Sequence, residues 1–342
     1  MKTRNSAFEL LRIIAMYLIV LYHATFWGPL NTITELSVNR GFTQLFAVGG
    51  KLGVNLFVMI SGYFLIQSHV TPKKLIPMWK QVFTYSAGFF VLFLIINHGH
   101  FQFMALLRGL LPVIFNEYWF VTTYIMLYLL APYLNQLIKS LSRVALLKLV
   151  ALLTGLTSIL PSIFQNQTAV SELGWFILLY VIAAYLRLYG IPTSLASNQR
   201  SWLFLGGSAF ILAGSILTMD LLGRRWPVFQ GKELHFAGQE SILLLLLAIA
   251  IFIRFMQLKP FSNSLINRLA TLTFGVYLIH DNEFIRPLLW QHWVPEKTFY
   301  ASAFYPLHLL LSVLAIYLVA SVLEFGRQRL STLWLHTKQH RV

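Results

Sequence analysis

The first apolar segment of this chain carries three ionisable side chains that a membrane span would normally avoid. It reads AFELLRIIAMYLIVLYHATFW and holds Glu9, Arg12 and His23. The eleven-residue step from Arg12 to His23 brings the two within about 20° around a helix and about 16 Å apart along its axis. Glu9 stands one turn before Arg12, where it can pair with it. Imidazole is the side chain best matched to proton transfer near neutral pH. Placed here, it suits removal of a proton from a sugar hydroxyl as that oxygen attacks a thioester. A carboxylate such as Glu117 is suited to orient the ring or stabilise its charged form. The same spacing equally admits a structural reading, in which Arg12 snorkels to headgroups and His23 lies at the interface.

Other chemistries lack their motifs. No GxxxxGK loop is present, and the nearest piece, VGGKLG, lacks the first glycine. There is no HExxH helix, and His98-x-His100 alone is weak support for a metal, so no metal site is expected. No GxSxG elbow appears. With no cysteine in the chain, thiol nucleophiles, thiolate metal sites and disulfides are excluded.

The elements that must position these residues follow from composition. Of 342 residues, 57% are apolar and 11% charged, against about 25% charged in soluble proteins. A polytopic membrane protein is implied. Only helices and closed barrels satisfy the backbone in lipid, and the long unbroken apolar runs select helices. The expectation is an all-α polytopic membrane protein of about ten transmembrane helices. The spans are read at about 7–27, 52–68, 80–98, 117–136, 144–164, 174–190, 201–222, 240–257, 268–285 and 303–325. The stretch 103–115 is too short to span and is read as an interfacial or re-entrant helix. No repeat or linker divides the chain, so 1–342 is read as one integral-membrane domain. The first span, with its Arg and Glu and no small-residue cleavage site, is read as retained.

Charge sets the orientation. Alternate loops hold 17 basic residues on one side and 8 on the other, and nine of the eleven acids fall with the 8. The positive-inside rule then places both termini in the cytoplasm. The net charge of +15 is explained by topology and contact with membrane lipid, so no nucleic acid partner is expected. On this orientation further polar residues gather at the outer level: Asn55, the Glu117-Tyr118-Trp119 run, Glu240, Tyr277, His280, Asp281, Glu283, Tyr305 and His308, with Ser61 deeper. Each alone is explained by the interface, and Trp119 by an aromatic belt. Ser61-Gly62 alone is explained by close helix packing. The cluster is more informative than its members.

Four pieces carry a resemblance: Arg12-x10-His23, GVNLFVMISGYFL at 53–65, EYWFVTTYIMLYLLAPYL at 117–134 and TFGVYLIH at 273–280. Together they make the chain resemble the membrane-bound acyltransferase-3 family of bacterial polysaccharide and lipid-linked sugar acyltransferases. They run from the first span to the ninth in the family's order.

The resemblance implies transfer of an acyl group, commonly acetyl from acetyl-CoA, to a hydroxyl of an extracytoplasmic glycan or its lipid-linked precursor. It implies His23 as catalytic and Arg12 as holding the acyl donor, in a multi-pass protein of a bacterial plasma membrane. The acyl-CoA is a substrate, and no resident cofactor is expected. Asn55, Ser61, Trp119 and His280 are the further substrate-binding candidates, and Lys73 and Lys74 are candidates for donor phosphates. Two departures matter. Many relatives have Asp at Asn55, so a carboxylate role does not transfer there. Many have an arginine pair where Lys73-Lys74 stand, and lysine binds phosphate as a point charge. The lysines equally serve as a positive-inside anchor. A transporter or flippase of a polysaccharide or lipid-linked sugar, a non-catalytic assembly protein, and a homo-oligomeric state all stay open.

Overall fold

The computed structural model describes residues 5–96, 103–164 and 171–339, with side chains to 333. Lys2, Arg4, His98, His100 and Arg341 lie outside the described residues, as does the side chain of Lys338. Every regular element among the described residues is helical. In chain order these are α1 (Ser6–Phe26), α2 (Val38–Leu65), α3 (Ile76–Ile96), α4 (Phe103–Leu110), α5 (Trp119–Ser140), α6 (Arg143–Thr154) and α7 (Leu160–Phe164). Then come α8 (Glu172–Tyr189), α9 (Asn198–Arg225), α10 (Ile242–Met256), α11 (Ser264–Ala270), α12 (Thr273–His280), α13 (Ile285–Pro287) and α14 (Tyr305–Gln339).

Short polar residues start these helices. Asn5, Ser37, Ser142, Ser171, Ser197, Ser241 and Asn263 each accept a hydrogen bond from a backbone N–H of the first turn. That satisfies donors which the helix itself leaves free.

Nine helical stretches among the described residues are long and apolar enough to cross a membrane, and the chain is a multi-pass membrane protein. Residues on the central helices turn inward: 72% of the most apolar stretch of α2 is buried, against 17% for Pro72–Ile96 and for α9. Large side chains such as Ile95, Phe210 and Val322 stand exposed on the outer helices. Apolar faces of that extent mark contact with lipid.

The expected ninth span at 268–285 is not one helix. It divides into α11 and α12 at Thr271-Leu272. The hydroxyls of Thr271 and Thr273 donate back to the carbonyls of Arg268 and Ala270, at 2.7 and 2.9 Å. Such back-bonding competes with the helical ladder and bends it. The pair still spans the depth of α1. Ser6 Oγ donates to Asn267 Oδ1 at 2.8 Å at one end, and His23 meets His280 at 2.9 Å at the other. The broken pair therefore runs parallel to α1 along its length.

The second span also departs from expectation, because α2 begins at Val38 and not near residue 52. Its first turns are polar, which reads as a loop, but tertiary partners satisfy them. Arg40 donates to the Ile33 carbonyl and faces Asp220 and Glu233 at 3.6 and 3.3 Å. Thr43 shares a hydrogen bond with Tyr305 at 3.0 Å. Lys51 thus lies inside a helix and not in a loop. On the outer connection, Glu296 is buried beside His308 at 3.1 Å, and burial pushes its carboxyl up against the opposing pull of His308. The stretch 103–115 contains α4, whose eight residues are too few to cross.

Candidate active site

Helix α1 approaches α2 closely enough that only glycine fits at two contact positions. A Cβ at Gly50 would lie 2.2 Å from Tyr22 Cγ, and one at Gly53 would lie 2.4 Å from the Ala15 carbonyl oxygen. Beside this contact, lined from α1 and α2 together, lies a cavity of about 470 Å³. Arg12 and His23 both line it, so it extends over the roughly 16 Å of helix between them. Its walls are mainly apolar and aromatic, with Phe57, Trp119, Phe120, Tyr124 and Tyr277 among them. The polar groups stand near the two ends.

At the inner end Arg12 Nη1 donates to Glu9 Oε2 at 2.7 Å, the pair expected from their spacing. Arg12 keeps 29% of its side chain exposed. At the outer end the His23 ring is fixed by a chain of hydrogen bonds. His280 Nδ1 lies 2.6 Å from the Val276 carbonyl oxygen, an acceptor only, so it carries a proton. With both rings neutral, His280 Nε2 must accept, and His23 Nδ1 donates to it at 2.9 Å. His23 Nε2 is then the unprotonated nitrogen. Because Nδ1 is turned toward the fully buried His280, Nε2 occupies the ring edge left for the cavity. Asp281 Oδ1 lies 3.8 Å from His23 Nδ1, near enough to stabilise an imidazolium. Asp281 is in turn 3.4 Å from Arg286 Nε, which limits its pull.

The end of α12 that presents His280 and Asp281 is itself held. The Tyr118 hydroxyl donates to the Leu278 carbonyl at 3.0 Å and accepts from Asn282 Nδ2 at 2.8 Å. A second cavity of about 220 Å³ adjoins the outer end, with Trp27 and Arg286 lining both.

The remaining sequence candidates divide. Ser61 and Trp119 line the large cavity. His280 meets it only through His23. Asn55 is fully buried away from it, donating to the Gln239 carbonyl at 3.3 Å and accepting from Trp175 Nε1 at 2.8 Å. Glu117 lies apart with Arg108, at 3.5 Å, and the carboxylate beside His23 is Asp281. Lys73 and Lys74 are exposed on the turn Pro72–Leu75 beyond the inner end of α2 and do not line the cavity, although Met78 of the following helix does. Lys51, Tyr22 and Arg286 line it and were not among the candidates. Lys51 was hidden by the late start assigned to α2. No group of three or more metal-ligating side chains occurs among the described residues.

The acyltransferase-3 family model, described as an acyltransferase domain, matches residues 5–325. The chain belongs to this family. No curated protein and no solved structure matches it. The match runs from the turn before α1 into α14, so the crossings that build the cavity all fall within the acyltransferase domain. Of the readings left open by the sequence, an acyltransferase is the one that family membership carries.

Proposed function

We propose that this acyltransferase moves an acyl group, most simply acetyl from acetyl-CoA, to a hydroxyl of a cell-surface polysaccharide or lipid-linked glycan precursor at a bacterial plasma membrane. The observation that carries the reading is the single cavity lined by Arg12 at one end and His23 at the other. A donor entering from the basic, inner side meets Arg12 first, and its extended pantetheine arm follows α1 toward His23. Lys73 and Lys74, on the same side, add positive charge for the CoA phosphates. The acceptor enters from the outer face, where Trp27 and Trp119 offer rings for sugar stacking.

His23 Nε2 takes the proton of the acceptor hydroxyl as its oxygen attacks the thioester carbonyl. Asp281 stabilises the imidazolium through Nδ1, and His280 holds the tautomer. When the tetrahedral intermediate collapses, the C–S bond breaks and the CoA sulfur takes the proton from Nε2. The products are an ester and free thiol.

Two measurements test this reading. Purified protein supplied with acetyl-CoA and surface glycans releases CoA in step with acyl transfer to the glycan; glycan flux without CoA release would refute it. The variant Arg12→Ala weakens acetyl-CoA binding about 10–100-fold, the worth of a charge-assisted hydrogen bond, in a protein that remains folded. Unchanged donor affinity would remove Arg12 from the donor site.

A further inference from the structure

The outer half of the cavity holds two cations, Lys51 and Arg286, and one carboxylate, Asp281. Arg286 is matched, with its Nε 3.4 Å from Asp281. Lys51 has no carboxylate oxygen within 4 Å among the described residues; its contacting polar partner is neutral, the Gln239 Oε1 atom at 3.3 Å, and the carboxylates of Glu172 and Glu240 act on it only from beyond contact distance. An ammonium group taken from water into a mainly apolar cavity without an opposite charge in contact is only partly compensated. Such a group calls for negative charge that arrives with the substrate or with the reaction.

Helix packing places it beside the imidazole. Gly50 of α2 is pressed against Tyr22 of α1. Lys51 and His23 each follow one of these two contact residues on helices of opposite direction, which keeps them within about 3 Å of a common depth, and both line the cavity. The lysine is also held in place. Nζ stands 5.2 Å from the Trp119 ring centroid. Asn55, one turn along α2, donates to the carbonyl of residue 239, while Lys51 donates to that residue's side-chain oxygen. Trp175 Nε1 fixes the Asn55 amide from the far side at 2.8 Å. A side chain as mobile as lysine is thereby aimed.

We propose that Lys51 stabilises the oxyanion of the tetrahedral intermediate. The inference rests on the acyl-transfer chemistry at His23 given above. As the acceptor oxygen bonds to the thioester carbon, the carbonyl π electrons move onto its oxygen and the hydroxyl proton passes to His23 Nε2. An ammonium hydrogen not engaged with Gln239 meets that oxygen, where a fixed charge acts more strongly than in water. Collapse restores the C=O bond and releases the CoA sulfur with the proton from His23. Lys51 is then a catalytic residue, and Asn55 and Gln239 position it.

The alternative task for the same charge is recognition of a fixed acidic group on the acceptor. The two separate in a reaction with an uncharged acceptor. Purified protein is given acetyl-CoA with water alone and with hydroxylamine, and enzyme-dependent CoA release is followed. Lys51→Met lowers kcat in both reactions about 10²–10³-fold, with KM for acetyl-CoA within about threefold of the original. Lys51→Arg recovers part of the rate, and Asn55→Ala lowers kcat with KM unchanged. A Lys51→Met protein that keeps its rate with both acceptors overturns the proposal and leaves recognition. If Lys51→Met fails to fold, Lys51→Gln is read in its place by the same criteria. His23→Ala in the same assay separates the two readings: full activity there removes the His23 chemistry, whereas loss there with full activity of Lys51→Met removes the lysine alone.

Discussion

Replacing His23 with alanine lowers kcat for acyl transfer by about 10²–10⁴-fold, the usual contribution of a positioned general base, and leaves the protein folded. The size of the effect follows from the ring's surroundings. His280 accepts the Nδ1 proton, Asp281 lies within reach of the charge that forms, and Nε2 is left as a base toward the cavity. Among the described residues no other imidazole lines that cavity, so none of them stands in for it. The smaller companion effect is at His280. His280→Ala removes the acceptor for Nδ1–H and frees the ring to adopt the other tautomer, lowering kcat about tenfold, whereas His280→Gln retains an oxygen acceptor at a similar reach and recovers most of the rate. The measurement is kcat of purified variants with acetyl-CoA and the surface glycan, beside their thermal unfolding. A His23→Ala protein that transfers acyl groups at the original rate would sink the general-base assignment. Equal losses in the two His280 variants would show that the second imidazole does more than accept a hydrogen bond.

The sequence revealed Arg12 and His23 because helical periodicity is rigid: a spacing of eleven residues fixes both azimuth and depth once the segment is a helix. The long apolar runs made most of the crossings legible: nine helical stretches among the described residues are long and apolar enough to span, and the expected span at 268–285 is broken. Depth alone was less informative. Glu117 and His280 both belong to the outer level, but only the latter reaches His23. The azimuth of α5 about the cavity depends on packing that no single segment encodes. Lys51 went unseen because α2 opens with polar residues whose partners come from distant parts of the chain. Arg40 finds Asp220 and Glu233, and Thr43 finds Tyr305. Local hydropathy cannot anticipate those pairings and starts the helix after the lysine. The break between α11 and α12 has a visible cause in Thr271 and Thr273, although threonine within an apolar run more often leaves a helix intact.

Gly53→Val removes folded, active protein from the membrane, and the reason is again the contact of α1 with α2. A Cβ at residue 53 would fall 2.4 Å from the carbonyl oxygen of Ala15 and 2.8 Å from Ile19. A side chain can move aside; a carbonyl inside a helix cannot without loss of its own ladder. Overpacking usually costs about 1–3 kcal/mol, and a clash with backbone has less room to relax. The helices must separate, and separation shifts Lys51 relative to His23, so activity falls even in whatever fraction assembles. Gly53→Ala shows the same defect in milder form, as a lowered unfolding temperature and a reduced kcat. Gly88 in α3 supplies the comparison, because a Cβ there meets nothing within 4 Å. Gly88→Ala gains up to about 1 kcal/mol of helix propensity and unfolds at the original temperature or above it. Equal stability of Gly53→Ala and Gly88→Ala, read by thermal unfolding in detergent, would mean that α1 and α2 are not so closely packed. The common depth of the imidazole and the ammonium would then lose its basis.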